Sequence, residues 1–349
     1  MKRRNGELDI LRMVFALTIV FYHFSCFYDI NLYRNGGIAV EFFFFTTGAL
    51  MVKSDGEVVT PPEKRPAKLY SFIARKIKSF YDYFIFIVLI QLLCDAYFQH
   101  LTFAKTMDKI LYGLPNLLLL QVSGIQYYGG ADVGGSWYLS AMIIASFVLY
   151  PLCLKNKELS KKYFFPIIAF LGYYSLKYIA TGDATSPSFY MARIIRGISG
   201  IAIGAWGKGL AERIEKIQFN KLGKILLTLL KWYCLYMALG YGAYGLSSDY
   251  NALALIFCFF MLVLIFSNNT YSLKGNVITN ILGKLSLVLY LSHFVIISVA
   301  QYMNLNLSKS ETFMLIGICP VFAFAIMMAV DGLGKLFAKI RIGKLVITD

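Results

Sequence analysis

The chain has 349 residues, of which 58% are hydrophobic and 15% are charged, and its mean hydropathy is +0.63. Soluble domains contain about 25% charged residues, so this composition excludes a disordered chain and argues against a soluble enzyme. The formal net charge is +15. On a soluble protein such a charge would indicate a nucleic-acid partner, but on a chain this apolar it is first a signal of membrane orientation. We therefore expect a membrane protein that binds the lipid bilayer and no nucleic acid.

Ten apolar stretches approach the roughly 20 residues that a helix needs to cross a bilayer. They cover residues 10–28, 37–53, 80–99, 137–154, 163–180, 193–207, 225–244, 251–267, 285–303 and 312–332. An eleventh stretch, residues 110–121, is too short to cross and contains Pro115, which is typical of an interfacial or re-entrant segment. None of the stretches alternates with the period of a strand. The prediction is an all-α integral membrane protein, a bundle of about ten transmembrane helices in one domain over residues 1–349.

Basic residues are divided unevenly between the connections that join these stretches. About 25 of the 34 Lys and Arg residues fall on the same side as the two termini, and about four fall on the other side. Cytoplasmic loops of membrane proteins carry the excess of Lys and Arg. We therefore predict that both termini lie in the cytoplasm.

The six cysteines fall in or at the ends of different predicted helices. They show no close pairing and no histidine spacing of the kind that holds zinc. We interpret them as small buried apolar residues and expect no metal site.

Three ionisable residues lie inside the first two predicted helices, where each is a candidate functional residue because its insertion is costly. Arg12 and His23 are 11 residues apart, which places them on one face of a helix, roughly 16 Å apart along the axis. Glu41 should lie at a similar depth to His23, and a carboxylate beside an imidazole would favour a general base. The alternatives are that His23 and Glu41 only bridge helices, and that Arg12 only extends to the membrane surface.

The sequence around these residues resembles the acyltransferase-3 family of membrane acyltransferases. Residues 8–12 (LDILR) and His23 reproduce the family's pattern of an Arg, ten residues and a His. Residues 37–48 (GIAVEFFFFTTG) are similar to its Gly-Val-Asp/Glu-Phe-Phe-x-x-Ser-Gly segment, with Thr47 in place of the Ser. Residues 136–139 (SWYL) and 289–293 (LYLSH) resemble its Trp-Phe/Tyr-Leu and Tyr-Leu-x-His motifs. The resemblance extends over nearly the whole chain.

The resemblance implies an acyl-CoA donor, with acetyl-CoA as the first expectation, on the cytoplasmic side. We predict that His23 is the catalytic base or the acyl carrier and that Glu41 orients it. The phosphates of coenzyme A would suit the cations near the predicted inner face, although topology alone would also place cations there. The predicted donor-binding residues are Arg12, Arg75, Lys76, Lys78 and His293.

The resemblance also implies an acceptor on the outer side, a cell-surface or lipid-linked saccharide. The segment before and into the fourth predicted helix combines aromatic rings, an acid and glycines, which suits a sugar-binding rim but is also typical of an aromatic belt. Two arginines at the outer start of the sixth helix either hold an anionic acceptor or contact lipid phosphates. The predicted acceptor-binding residues are Tyr127, Tyr128, Asp132, Trp137, Arg193 and Arg196.

A second function class stays open at this point, a multi-pass transporter or flippase for a saccharide or a lipid-linked intermediate. Such proteins also carry ionisable residues inside their helices, but many are built from internal repeats, and we find no convincing repeat here. The leading prediction is an O-acyltransferase of the bacterial inner or plasma membrane.

Overall fold

The computed structural model of the chain describes residues 5–28, 30, 33–53, 57–125, 130–179, 187–245 and 248–346. These residues form helices and contain no strand, only an isolated bridge between Asn5 and Lys274. The helices are α1 (Gly6–Tyr28), α2 (Gly37–Lys53), α3 (Arg65–Lys78), α4 (Tyr81–Phe98), α5 (Phe103–Leu117), α6 (Trp137–Lys155), α7 (Lys157–Leu159), α8 (Phe165–Leu176), α9 (Pro187–Glu215), α10 (Lys221–Tyr244), α11 (Ser248–Phe266), α12 (Val277–Tyr302) and α13 (Lys309–Val346). The all-α prediction is confirmed.

Each of the ten predicted stretches has a helix at its centre, namely α1, α2, α4, α6 and α8 to α13. Six helices among the described residues are long and apolar enough to cross a membrane: α1, α4, α6, α10, α12 and the Lys309–Leu336 part of α13. Two further apolar helices, Gly37–Val52 and Asn251–Phe266, are shorter. The chain is thus a multi-pass membrane protein, while the count of ten crossings and the cytoplasmic termini stay predictions.

The predicted interfacial or re-entrant segment corresponds to helix α5 and the turns that follow it. Lys109 of α5 forms an ion pair of 2.5 Å with Asp95 near the end of α4. Further along, the carbonyl oxygen of Leu117 accepts a hydrogen bond of 3.0 Å from Tyr81 at the start of α4. These two contacts mean that α5 returns along α4 in the opposite direction.

Contacts at the N-terminal end of helix α1 fix its position along its own axis. The backbone amide of Gly6 donates to the carbonyl oxygen of Leu273, 3.1 Å away. Glu7 forms an ion pair of 2.7 Å with Lys231 of α10, and both side chains are buried. Because a buried charge needs a partner, this pair ties the start of α1 to the middle of α10.

Helices α2 and α9 cross at close range through glycine. A Cβ atom at Gly48 of α2 would lie 1.9 Å from the carbonyl oxygen of Ile201, and one at Gly204 of α9 would lie 1.9 Å from that of Phe45. Only glycine allows the two backbones to approach so closely. Gly48 and Gly204 are therefore helix-packing positions.

Candidate functional site

The imidazole rings of His23 and His293 form a hydrogen-bonded pair where α1 packs against α12. Nδ1 of His23 lies 2.8 Å from Nε2 of His293, and the two rings are nearly parallel, at 13°. His293 is fully buried, whereas His23 is partly exposed. The ring of Phe294 contacts both imidazoles, with centroid distances of 4.5 and 4.6 Å.

The backbone decides which nitrogen atoms of this pair carry protons. Nδ1 of His293 lies 3.1 Å from the carbonyl oxygen of Leu289, which can only accept a hydrogen bond. In the neutral pair, Nδ1 of His293 is therefore the donor and its Nε2 is an acceptor, so Nδ1 of His23 must donate to it. The lone pair of His23 is then on Nε2, which has no hydrogen-bond partner among the described residues. A lone pair held in this way is what a general base or a nucleophile requires.

Glu41 is not the partner of His23, contrary to the predicted pairing. Its carboxylate accepts hydrogen bonds of 2.5 Å from Nε of Arg196 and of 2.5 Å from the hydroxyl of Tyr173. Arg196 also donates to the carbonyl oxygen of Gly37, 2.9 Å away. The reason is the rotation of α2, which directs Glu41 toward α8 and α9 instead of toward α1.

A cavity of about 730 Å³ lies between α1, α2, α3, α6, α12 and α13. Three cations, Arg12, Lys76 and Lys284, line it. Lys284 is paired with Asp331 at 2.7 Å, and Arg12 with Asp9 at 3.0 Å. The lining thus carries three cations and one carboxylate, that of Asp331, and this excess of positive charge favours an anionic ligand in the cavity.

Lys76 differs from the other two cations because its ammonium has no carboxylate partner among the described residues and lies 5.2 Å from the ring centroid of Phe72. Burial, together with the charge of Arg12, lowers the pKa of Lys76 to about 8. An anion bound beside it would offset both effects and favour the charged ammonium.

Three neighbouring aromatic rings line the cavity, and one of them, that of Tyr290, lies 6.3 Å from the ring of His293. The ring centroids of Phe43, Tyr138 and Tyr290 are 5.7 to 6.2 Å apart from one another. We call these three residues the aromatic wall. All three line the cavity, whereas neither His23 nor His293 does.

A second polar cluster lies where the chain enters α6. The guanidinium of Arg193 is 4.8 Å from the ring centroid of Trp137 and 3.8 Å from that of Phe189. Asp132 accepts hydrogen bonds from the backbone amide of Val133 at 2.7 Å and from the hydroxyl of Ser136 at 2.6 Å. Burial raises the pKa of Asp132 to about 6, although these bonds and the charge of Arg193 act in the opposite direction.

The comparison with protein families decides the class of this chain. The family model described as an acyltransferase domain, acyltransferase-3, matches residues 5–330. The chain belongs to the acyltransferase-3 family. Neither the search of curated proteins nor the search of solved structures found a match. The family confirms the predicted resemblance and does not favour the transporter or flippase alternative.

In this acyltransferase-3 protein, only part of the predicted donor set meets at the cavity. Arg12 and Lys76 line the cavity. Arg75 and Lys78 are exposed and do not line it. His293 lies beyond the aromatic wall, beside His23. The structure adds Lys284, which the sequence does not distinguish from the other basic residues.

Of the predicted acceptor residues, Asp132, Trp137 and Arg193 come together in the cluster at the start of α6. Arg196 is instead held by Glu41, at 2.5 Å, and its guanidinium lies 5.9 Å from the ring of Trp137. Tyr127 and Tyr128 lie outside the described residues.

Proposed function

We propose that this protein transfers an acyl group from acyl-CoA to a hydroxyl of a cell-surface or lipid-linked saccharide. The observation that carries the proposal is Nε2 of His23, which has no hydrogen-bond partner in the part of the chain that the structure describes and belongs to a histidine pair near a cavity lined by cations. The family supports acyl transfer, and the geometry supplies a base and a site for an anionic donor on either side of one aromatic wall.

The cavity fits the donor in charge and in size. Coenzyme A carries phosphates at one end and its thioester at the other end of an extended arm. Arg12, Lys76 and Lys284 would hold the phosphates, and the arm would extend toward the aromatic wall. A volume of about 730 Å³ is within the range of ligand pockets, about 300–1,000 Å³. Acetyl-CoA is the first donor to test.

Two routes of transfer are compatible with the histidine pair. In direct transfer, Nε2 of His23 takes the proton of the acceptor hydroxyl while its oxygen attacks the thioester carbonyl. A C–O bond forms, the C–S bond breaks, and the proton passes from His23 to the leaving thiolate. In the covalent route, Nε2 itself attacks the thioester carbonyl, so that an N–C bond forms, the C–S bond breaks and the thiolate leaves. The hydroxyl oxygen then displaces Nε2, the N–C bond breaks, and the proton of the hydroxyl passes to the thiolate. In both routes His293 and the Leu289 carbonyl group hold the imidazole of His23 in the reactive tautomer.

The acceptor is proposed to bind at the cluster at the start of α6. The ring of Trp137 offers a flat surface of the kind against which the apolar faces of sugars pack. Asp132 supplies hydrogen-bonding oxygen atoms, and Arg193 supplies a positive charge. The host membrane in this proposal is the bacterial inner or plasma membrane, with the donor cavity toward the cytoplasm.

The test uses inside-out membrane vesicles that contain the protein and receive acetyl-CoA labelled in its acetyl group. We expect label to appear in glycan with the wild-type chain and to be lost in His23→Ala at matched protein level. His100→Asn is the control, because His100 is an exposed histidine with a positive φ of 52°, which asparagine tolerates. Wild-type transfer by His23→Ala would refute the role of His23. Rapid-quench mass spectrometry of the peptide that contains His23 separates the two routes.

A further inference from the structure

One member of the aromatic wall, Tyr290, lies between the donor cavity and the histidine pair. Tyr290 lines the cavity, while its ring centroid lies 6.3 Å from that of His293, one helical turn away on α12. Tyr138 and Tyr290 are both buried. Tyr290 thus contacts both the cavity and the surroundings of the histidine pair, while neither histidine lines the cavity.

The position of Tyr290 is fixed from the opposite side of the wall. Its hydroxyl donates a hydrogen bond of 2.5 Å to the carbonyl oxygen of Gly135. Gly135 belongs to residues 130–136, the same loop that carries Asp132 and leads into Trp137. The proposed acceptor site and the wall thus share one short segment of backbone.

The loop also packs against Phe294, the residue beside the histidines. A Cβ atom at Gly134 would lie 2.5 Å from the ring of Phe294, which contacts both imidazoles. Gly135 has a φ of +87°, a conformation that residues with a side chain adopt rarely. Glycine at these two positions lets the backbone lie against Phe294 and present its carbonyl group to Tyr290.

We propose that Tyr290 is a gate that admits the donor thioester to His23, and that the loop of residues 130–136 holds it closed. Displacement of this loop by a bound acceptor breaks the bond to Gly135, and the ring of Tyr290 is then free to leave the path. The gate keeps the thioester from water until a hydroxyl is present, which prevents its hydrolysis to a free acid and coenzyme A. The proposal rests on the proposed function for its purpose but not for its first test.

The first test measures access to position 23 without any acyl chemistry. In a His23→Cys variant whose Cys26 is replaced by serine, a small membrane-impermeant anionic thiosulfonate is applied from the predicted cytoplasmic side of vesicles. We expect Tyr290→Phe, which keeps the ring and loses the bond to Gly135, to increase the labelling rate about fivefold, in line with one neutral hydrogen bond. Gly135→Ala acts on the same bond from the loop side and should give a similar increase.

Tyr81→Phe is the matched control, because Tyr81 also donates its hydroxyl to a backbone carbonyl group, that of Leu117, but does not line the cavity. It should leave the labelling rate unchanged. If Tyr290→Phe and Gly135→Ala label at the wild-type rate, Tyr290 is not a gate.

The second test follows coenzyme A released from acetyl-CoA by purified protein without an acceptor. We expect slow release by the wild type and faster release by Tyr290→Phe. Faster labelling with no release in any variant would leave the gate standing and overturn the acyltransferase proposal. Release that is the same in wild type and Tyr290→Phe, together with unchanged labelling, would overturn the gate alone.

Discussion

The ion pair between Glu41 and Arg196 gives the sharpest distinction between the sequence-based pairing and the structure. Glu41 is buried, and its two oxygen atoms accept bonds from Arg196 and Tyr173. Removing one member of a buried ion pair typically destabilises a protein by about 3–5 kcal/mol, since the remaining charge stays buried without compensation. The side chain of Arg196 is 28% exposed and keeps its bond to Gly37, so we expect about 2–4 kcal/mol for Glu41→Gln.

The assay is a double-mutant cycle on the free energy of unfolding in mixed micelles. The variants Glu41→Gln and Arg196→Gln should couple by about 1.5 kcal/mol or more, because each residue loses the same partner. Glu41→Gln and His23→Gln should add within about 0.5 kcal/mol, because they share no partner in the structure. Strong coupling of Glu41 to His23 together with weak coupling to Arg196 would refute the reasoning.

Three further predictions follow from the site and the fold. His293→Leu should lower kcat about 100-fold with little change in the KM for the donor. His293→Gln should recover part of the lost kcat, because Gln, unlike Leu, can still accept a hydrogen bond from Nδ1 of His23. Equal activity of both variants and the wild type would contradict the tautomer assignment. Because the pKa of Lys76 is lowered to about 8, Lys76 loses its charge as the pH rises, and the donor affinity measured by calorimetry should fall roughly tenfold from pH 7 to pH 9. Lys76→Arg should remove this pH dependence, since arginine stays charged. The same fall in affinity in Lys76→Arg would refute the role of Lys76. Gly48→Ala should lower the melting temperature, whereas Gly240→Ala, where a Cβ meets nothing within 4 Å, should not; equal melting temperatures would contradict the close helix crossing.

The ten helices at the apolar stretches could be predicted from the sequence because each of these stretches is long and mostly apolar. The positions of residues along a helix axis could be predicted as well. Arg12 lines the cavity, and His23 lies further along the same helix, beyond the aromatic wall. The rotation of α2 about its axis could not be predicted, because this helix is apolar on all sides and its pattern does not favour one face. For that reason the depth of Glu41 suggested a partner on α1, while its actual partners are on α8 and α9.

The donor-binding residues show a similar limit of prediction from sequence. A count of charges identifies the side of the membrane, but it does not show which basic side chains point into a cavity. Lys76 faces inward while Arg75 and Lys78, on the same helix, are exposed. Lys284 comes from α12, more than 200 residues further along the chain, so only the fold, which brings α12 and α3 to the same cavity, places it at this site.

The most direct test of the central claim is mass spectrometry of surface glycans from cells with the wild-type chain, without it, and with His23→Ala or His100→Asn at matched protein level. The account predicts an acyl mass increment on glycan from cells with the wild type and His100→Asn, and its loss in the other two. The same increment in all four samples would contradict the claim that this chain acylates a saccharide through His23.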